Sequence, residues 1–387
     1  MTADPPAGAP PPSAPRPRAA PLVATGRLAG VDLARALALY GMVMVHAGPT
    51  DGEGLAGQAW ALPHGRAAVL FALVAGVGIS LLARPRGEQG SGAPSPRLRL
   101  LWRAALLAPA GLALQALDHG VLVILTPYAV LFALATLVVR ARDAILAALA
   151  GASALGGPAL VALVEQARPG WFTTTAVTLT DPPLEILREQ VISGPYPIVT
   201  WATPVLVGMW LGRRDLRAPT TWPLLLGVGA AVALAAGMVA LVLEQVVTPP
   251  PSEAQGWWAM LAPTPHSQGL LWLTSATGTA VAALGVSLAT AAVAPRAVTP
   301  MVAAGQLALT IYVAHLIAFD VASDLLRHDT VREALLATLG FLALATAGAQ
   351  AWRQRWSRGP LELVIAGPWA WRARAHLGPP AGGPPAG

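Results

Sequence analysis

The stretch WPLLLGVGAAVALAAGMVALVL, residues 222–243, contains no ionisable and no amide side chain. A helix needs about 20 apolar residues to cross the roughly 30 Å hydrocarbon core of a bilayer, and this stretch has them. A core helix of a soluble protein would keep one polar face for water; no face is polar here. Working outward, runs of similar character cover residues 28–47, 66–83, 98–117, 120–139, 144–164, 195–211, 269–293, 300–325 and 333–352. Together they predict an all-α polytopic membrane protein, with about ten transmembrane helices in one bundle spanning residues 27–358. The flanking segments, 1–26 and 359–387, are expected to be cytoplasmic tails, the first a disordered Pro/Ala-rich one.

Composition supports a lipid solvent. With 55% hydrophobic and 11% charged residues, and a mean hydropathy of +0.58, polar surface is too scarce to cover a soluble globule of 387 residues. The chain has no cysteine, which excludes disulfides and thiolate metal ligation. It also has no lysine, which excludes a phosphate loop ending in that residue. No histidines show metal-ligand spacing, so no metal is expected.

A net charge of +6 and a pI near 10.8 would suit nucleic acid, but the arginines sit in short loops between apolar runs. Topology accounts for them, and no nucleic-acid partner is expected. Alternate connections carry Arg84, Arg86, Arg97 and Arg99, then Arg140 and Arg142, then Arg213, Arg214 and Arg217, then Arg296. The intervening ones hold Asp51, Glu53, Asp118, Asp181, Glu185, Glu244, Glu253 and Asp329. Because arginine gathers in cytoplasmic loops, both termini are predicted inside the cytoplasmic (inner) membrane. The largest outer connection, residues 165–194, reads as holding an amphipathic surface helix capped at Asp181. Asp118 and His119 read as a solvated outer turn.

Ionisable groups inside a span cost roughly 2.5 to 3.5 kcal/mol on insertion scales, so each needs a partner, a wet cavity or a task. The first run has three. Asp32 and Arg35 are three apart and share a helix face, where pairing with each other accounts for both. His46, eleven residues beyond Arg35, returns to that face after almost three turns, about 16 Å along the axis. One polar stripe therefore climbs the helix, suited to a long thin ligand. In the ninth run Tyr312 and His315 share a face, with Gln306 earlier on the same run. Packing or interfacial roles also explain Arg66, Tyr128, Tyr312 and His315.

The opening run, with Arg35, ten residues and then His46, resembles the first helix of the transmembrane acyltransferases, a group including the acyltransferase-3 proteins and heparan-alpha-glucosaminide N-acetyltransferase. Gly65-Arg66, Leu70-Phe71 and Ala75-Gly76 resemble that group's glycine-ended second helix, and Thr126-Pro127-Tyr128 its turn into a later helix. QLALTIYVAH, residues 306–315, and Arg358-Gly-Pro-Leu-Glu362 resemble the closing region of YeiB-like membrane proteins. The resemblance implies transfer of an acyl group, acetyl in the heparan enzyme, from cytoplasmic acyl-CoA (acetyl-CoA) to an extracytoplasmic sugar, lipid or envelope acceptor. It implies His46 as the catalytic histidine by the acyltransferase-3 pattern, or His64 by the heparan pattern, whose motif is not reproduced around His64. Asp32, Arg35, Arg66, Tyr128, Gln306, Tyr312 and His315 would then line the donor and acceptor sites. The imidazole can serve as general base, or attack directly to give an acyl-histidine.

A second reading, from a different class, takes Asp32, Arg35, His46 and His315 as the pathway of a proton-coupled permease for a small amphiphile. Small-residue pairs suit helix contacts within one chain or between two, so a homodimer stays open.

Overall fold

The computed structural model of the chain describes residues 27–49, 54–84, 94–172, 176–248 and 256–369. The tail expected over residues 1–26 lies outside the described residues, as does 370–387. Among the described residues all regular structure is helical, and sixteen helices follow one another. They are α1 (Ala29–Ala47), α2 (Gly54–Ala61), α3 (Arg66–Ala83), α4 (Pro96–Gln115), α5 (Leu125–Val138), α6 (Asp143–Ala167), α7 (Pro183–Arg188) and α8 (Ile198–Leu211). Then come α9 (Thr221–Val246), α10 (Gly256–Leu261), α11 (Leu270–Val293), α12 (Thr299–Gln306), α13 (Ala308–Val321), α14 (Ser323–Leu326), α15 (Val331–Arg355) and α16 (Pro360–Ala366).

Small residues decide which helices are central. In α1, Ala34, Ala36 and Ala38 are fully buried, and α3, α11 and α12 close around this helix. A side chain on Gly305 of α12 would strike the backbone carbonyl of Asp32, so only glycine permits that approach. The α3–α8 crossing has the same cause: side chains on Gly76 and Gly208 would meet the carbonyls of Val205 and Leu73. The helices α9 and α15 bury few residues and turn outward leucine, valine and methionine, such as Leu234, Met238, Leu336 and Leu344. Such apolar exposure is stable against lipid rather than water.

Among the described residues six helical segments are long and apolar enough to cross a membrane, or seven if a bent pair counts as one span. The larger count of ten read from the sequence also includes α4, α5 and α8. Of these, α4 carries Arg97, Arg99 and Arg103, while α5 and α8 have 14 residues each, about 21 Å at 1.5 Å per residue. The bent pair corrects the expectation of one run over residues 300–325: α12 and α13 meet at Leu307 with a 79° bend. Residues 359–369, read from the sequence as part of a tail, include α16, which packs on α4 and α13.

The outer helix expected after Asp181 is present as α7, extended by a wide turn through Ser193. Its cap is not. Asp181 accepts instead from the Thr178 N–H at 2.7 Å, bracing the preceding turn.

Candidate functional site

The ends of α1 open on two cavities at opposite faces of the bundle. The larger, about 660 Å³, receives Asp32 and Arg35 from α1, Phe71, Ala75 and Gly78 from α3, and Tyr128 from α5. Around it stand the arginines Arg27, Arg35, Arg84, Arg99, Arg103, Arg217 and Arg358, against two carboxylates, Asp32 and Glu362. Both carboxylates are already committed. Asp32 accepts from Arg35 at 2.6 Å, from Arg27 at 3.2 and 3.3 Å, and from Gln306 Nε2 at 3.1 Å. The expected Asp32–Arg35 pair therefore exists, inside a wider network that fastens α1 to α12.

Glu362 answers the break in the α12–α13 pair. The N–H groups at the start of a helix have no partner within it. Glu362 on α16 accepts from the N–H of Leu309 at 2.8 Å, from that of Thr310 at 3.1 Å, and from Thr310 Oγ1 at 2.6 Å. Its charge also complements the positive end of the α13 dipole. The two late sequence motifs thus meet in space. In the same cavity wall, Tyr128 Oη and Gln306 Oε1 are buried without a hydrogen-bond partner.

The smaller cavity, about 400 Å³, lies where α1 ends. Its polar lining is His46, His64, His266, Tyr196, Tyr312 and Arg327, with no carboxylate among the lining residues. His46 stacks on the fully buried His315, ring centroids 5.5 Å apart and planes within 6°. Among the described residues, His46 Nδ1 and both ring nitrogens of His315 have no hydrogen bond of good geometry. Tyr312 Oη accepts from the Ile124 N–H at 3.1 Å, which leaves its own proton for another partner. His64 faces His266, with ring centroids at 5.5 Å.

His266 sits on a strained loop: it and Gln268 have φ of 62° and 61°, a region costly for any residue but glycine. The loop is held there by Gln268, whose Oε1 accepts from Thr200 Oγ1 at 2.9 Å and Trp201 Nε1 at 3.1 Å. Burial among Tyr196, Trp201 and Trp272, with His64 adjacent, pushes the His266 imidazole down to about 4, so it is neutral near pH 7.

Between the cavities stand three rings. Phe71 stacks on Tyr128 at 5.6 Å and on Tyr312 at 6.5 Å. Phe71 and Tyr128 line the larger cavity and Tyr312 the smaller. The sequence-derived residues therefore divide into two groups. Asp32, Arg35, Tyr128 and Gln306 gather at the arginine-lined cavity; His46, His64 and Tyr312 gather at the histidine-lined one, with His315 behind His46. Arg66 lines neither. Asp118 is exposed in its turn as expected, but His119 is fully buried, with Nε2 on the Leu114 carbonyl at 2.9 Å and Nδ1 accepting from Val121 N–H at 3.0 Å. Arg327 donates to the His119 carbonyl, beside Gly120, whose φ of 59° leaves room for the guanidinium.

His266 and Arg327 had no sequence signal, because they come from connections with no periodicity, and Tyr196 was only the second residue of an apolar run. The only pointer to His266 was its position in the proline-flanked turn TPHSQG, residues 264–269.

Fold and cavities together define an all-helical, multi-pass membrane protein with two facing cavities. Residues 211–375, less than half of the chain, match the model of a family described as "Protein of unknown function (DUF418)". The matched part carries the broken helix, His266, His315, Arg327 and Glu362, and leaves out α1 with Asp32, Arg35 and His46. No curated protein matches the chain.

Proposed function

We propose that this protein is a membrane-embedded acyltransferase, which takes an acyl group from cytoplasmic acyl-CoA and delivers it to an acceptor on the other side of the cytoplasmic membrane. The observation that carries the reading is the opposition of an arginine-lined cavity to a histidine-lined one across a partition of three aromatic rings. The arginine face would be cytoplasmic, by the positive-inside tendency, and α4, α5, α8 and the broken α12–α13 pair would complete ten spans. The guanidinium groups suit the phosphates of CoA, which arginine engages with paired, charge-assisted hydrogen bonds.

In the smaller cavity, His46 would remove the proton from the acceptor hydroxyl or amine as that atom attacks the thioester carbonyl. The new C–O or C–N bond forms, the C–S bond breaks, and the imidazole passes its proton to the departing thiolate, leaving free CoA. Tyr312, whose Oη already accepts from the Ile124 N–H, would donate its own proton to the oxyanion. His315 holds the His46 ring by stacking.

Two measurements test this. Acetyl-CoA at a hundredfold excess over its Kd should stabilise the purified protein by about 2.7 kcal/mol, read as a rise in Tm. His46→Ala should reduce acyl transfer in proteoliposomes by about 10²-fold or more. Full activity without the imidazole would remove it from the mechanism.

The broken helix between opposed cavities favours a second reading, a proton-coupled permease. Under that reading acetyl-CoA produces no thermal shift, and uptake of a small amphiphile follows the pH gradient.

A further inference from the structure

The larger and smaller cavities are both built on one face of α3. Ala67 and Ala68 line the histidine side, and Ala75 and Gly78 the arginine side. These positions recur every three to four residues, so they form one continuous stripe. Phe71 lies in the middle of it and is the only bulky side chain between Ala68 and Ala75 on that stripe. At 1.5 Å per residue the two alanines are about 10 Å apart along the axis, which is the depth of the partition on this helix. The other two rings are tied more firmly: Tyr312 holds the Ile124 N–H, and Tyr128 is 4% exposed. Phe71 is half-buried, touches both by ring stacking alone, and has no polar atom to anchor it.

We infer that the small-residue stripe of α3 is a single path joining the two cavities, and that Phe71 is the residue selecting what bridges it: an unbranched chain passes the ring, and a ring-bearing group does not. The physical reason is width. With alanine above and below, a chain needs only a rotamer change at Phe71 to lie along the stripe, whereas a planar ring needs the volume that Phe71 itself fills. The inference stands apart from acyl transfer, because it concerns passage between the cavities and not the reaction.

The absence of native cysteine makes a direct test available. Ala75→Cys, on the arginine side, is challenged from the histidine side in oriented membrane vesicles with two sulfonate-bearing, membrane-impermeant methanethiosulfonates. Both have tethers of equal length, long enough to cross about 10 Å, one a straight alkyl chain and one interrupted by a phenylene ring. The straight reagent is expected to label at least tenfold faster with Phe71 present, and Phe71→Gly to bring the two rates within twofold. Equal rates with Phe71 present, a difference that survives Phe71→Gly, or no labelling by either reagent in that variant would each overturn the proposal. Should Phe71→Gly fail to fold, Phe71→Leu carries the same comparison, the ring being replaced by a smaller branched side chain. Labelling needs no acyl-CoA, so its outcome is independent of whether the acyltransferase reading holds.

Discussion

The two ends of α1 treat buried polar groups in opposite ways. At one end Asp32, 3% exposed, receives hydrogen bonds from Arg27, Arg35 and Gln306. At the other, His46 and His315 lie ring against ring, and three of their nitrogens have no hydrogen bond of good geometry among the described residues. Burying an unpartnered polar group destabilises a fold by about 1–3 kcal/mol, so such groups persist where a ligand or proton requires them. The first arrangement fastens helices. The second leaves ring nitrogens without the hydrogen bonds that the first supplies.

The largest expected effect falls on the fastened end. Asp32→Ala leaves Arg35 without its carboxylate in a part-buried position, which should cost about 3–5 kcal/mol and appear as a large fall in Tm in detergent. An unchanged Tm would break the comparison at its stronger end.

The histidine side should instead show itself in pH dependence. An unfolded His266 takes up a proton below its ordinary value of 6.5, but the folded imidazole does so only near 4. Between those values the unfolded state binds more protons, so stability falls as pH is lowered, with a slope of up to about 1.4 kcal/mol per pH unit from this group. His266→Phe should flatten the Tm-against-pH curve in that window; an unaltered curve would assign the slope to another group.

A smaller effect belongs to Glu362. Removing a helix cap costs about 1–2 kcal/mol, so Glu362→Ala should lower Tm modestly and increase hydrogen exchange at Leu309 and Thr310. The smallest is the sharpest test. His315→Leu replaces a buried imidazole by a side chain of similar bulk, and stability should hold or rise by up to about 1 kcal/mol; under the proposed function, acyl transfer falls. A loss of several kcal/mol would show that His315 is as firmly bonded as Asp32.

Fold class was legible because apolar runs such as residues 222–243 leave no alternative to lipid, and Asp32–Arg35 was legible because helical spacing places residues three apart side by side. The break at Leu307 was not. Residues 300–325 contain no proline after Pro300, and the group that serves the N–H groups exposed at the break is a carboxylate more than fifty positions later. Proximity of that kind leaves no local trace. The arginine-lined cavity was hidden for a different reason: Arg84, Arg99 and Arg217 satisfy the topology rule wherever their side chains turn, so their convergence adds nothing a linear reading can detect. Residues from irregular connections, His266 and Arg327, lacked even periodicity to suggest a facing direction.

Glu362 also imposes a sequence of events on biogenesis. The chain reaches Glu362 only after α15, so the leading amides of α13 gain this partner only when α16 packs back against α13. A chain cut before that residue should therefore lack the hydrogen bonds that hold the elbow at the cavity wall.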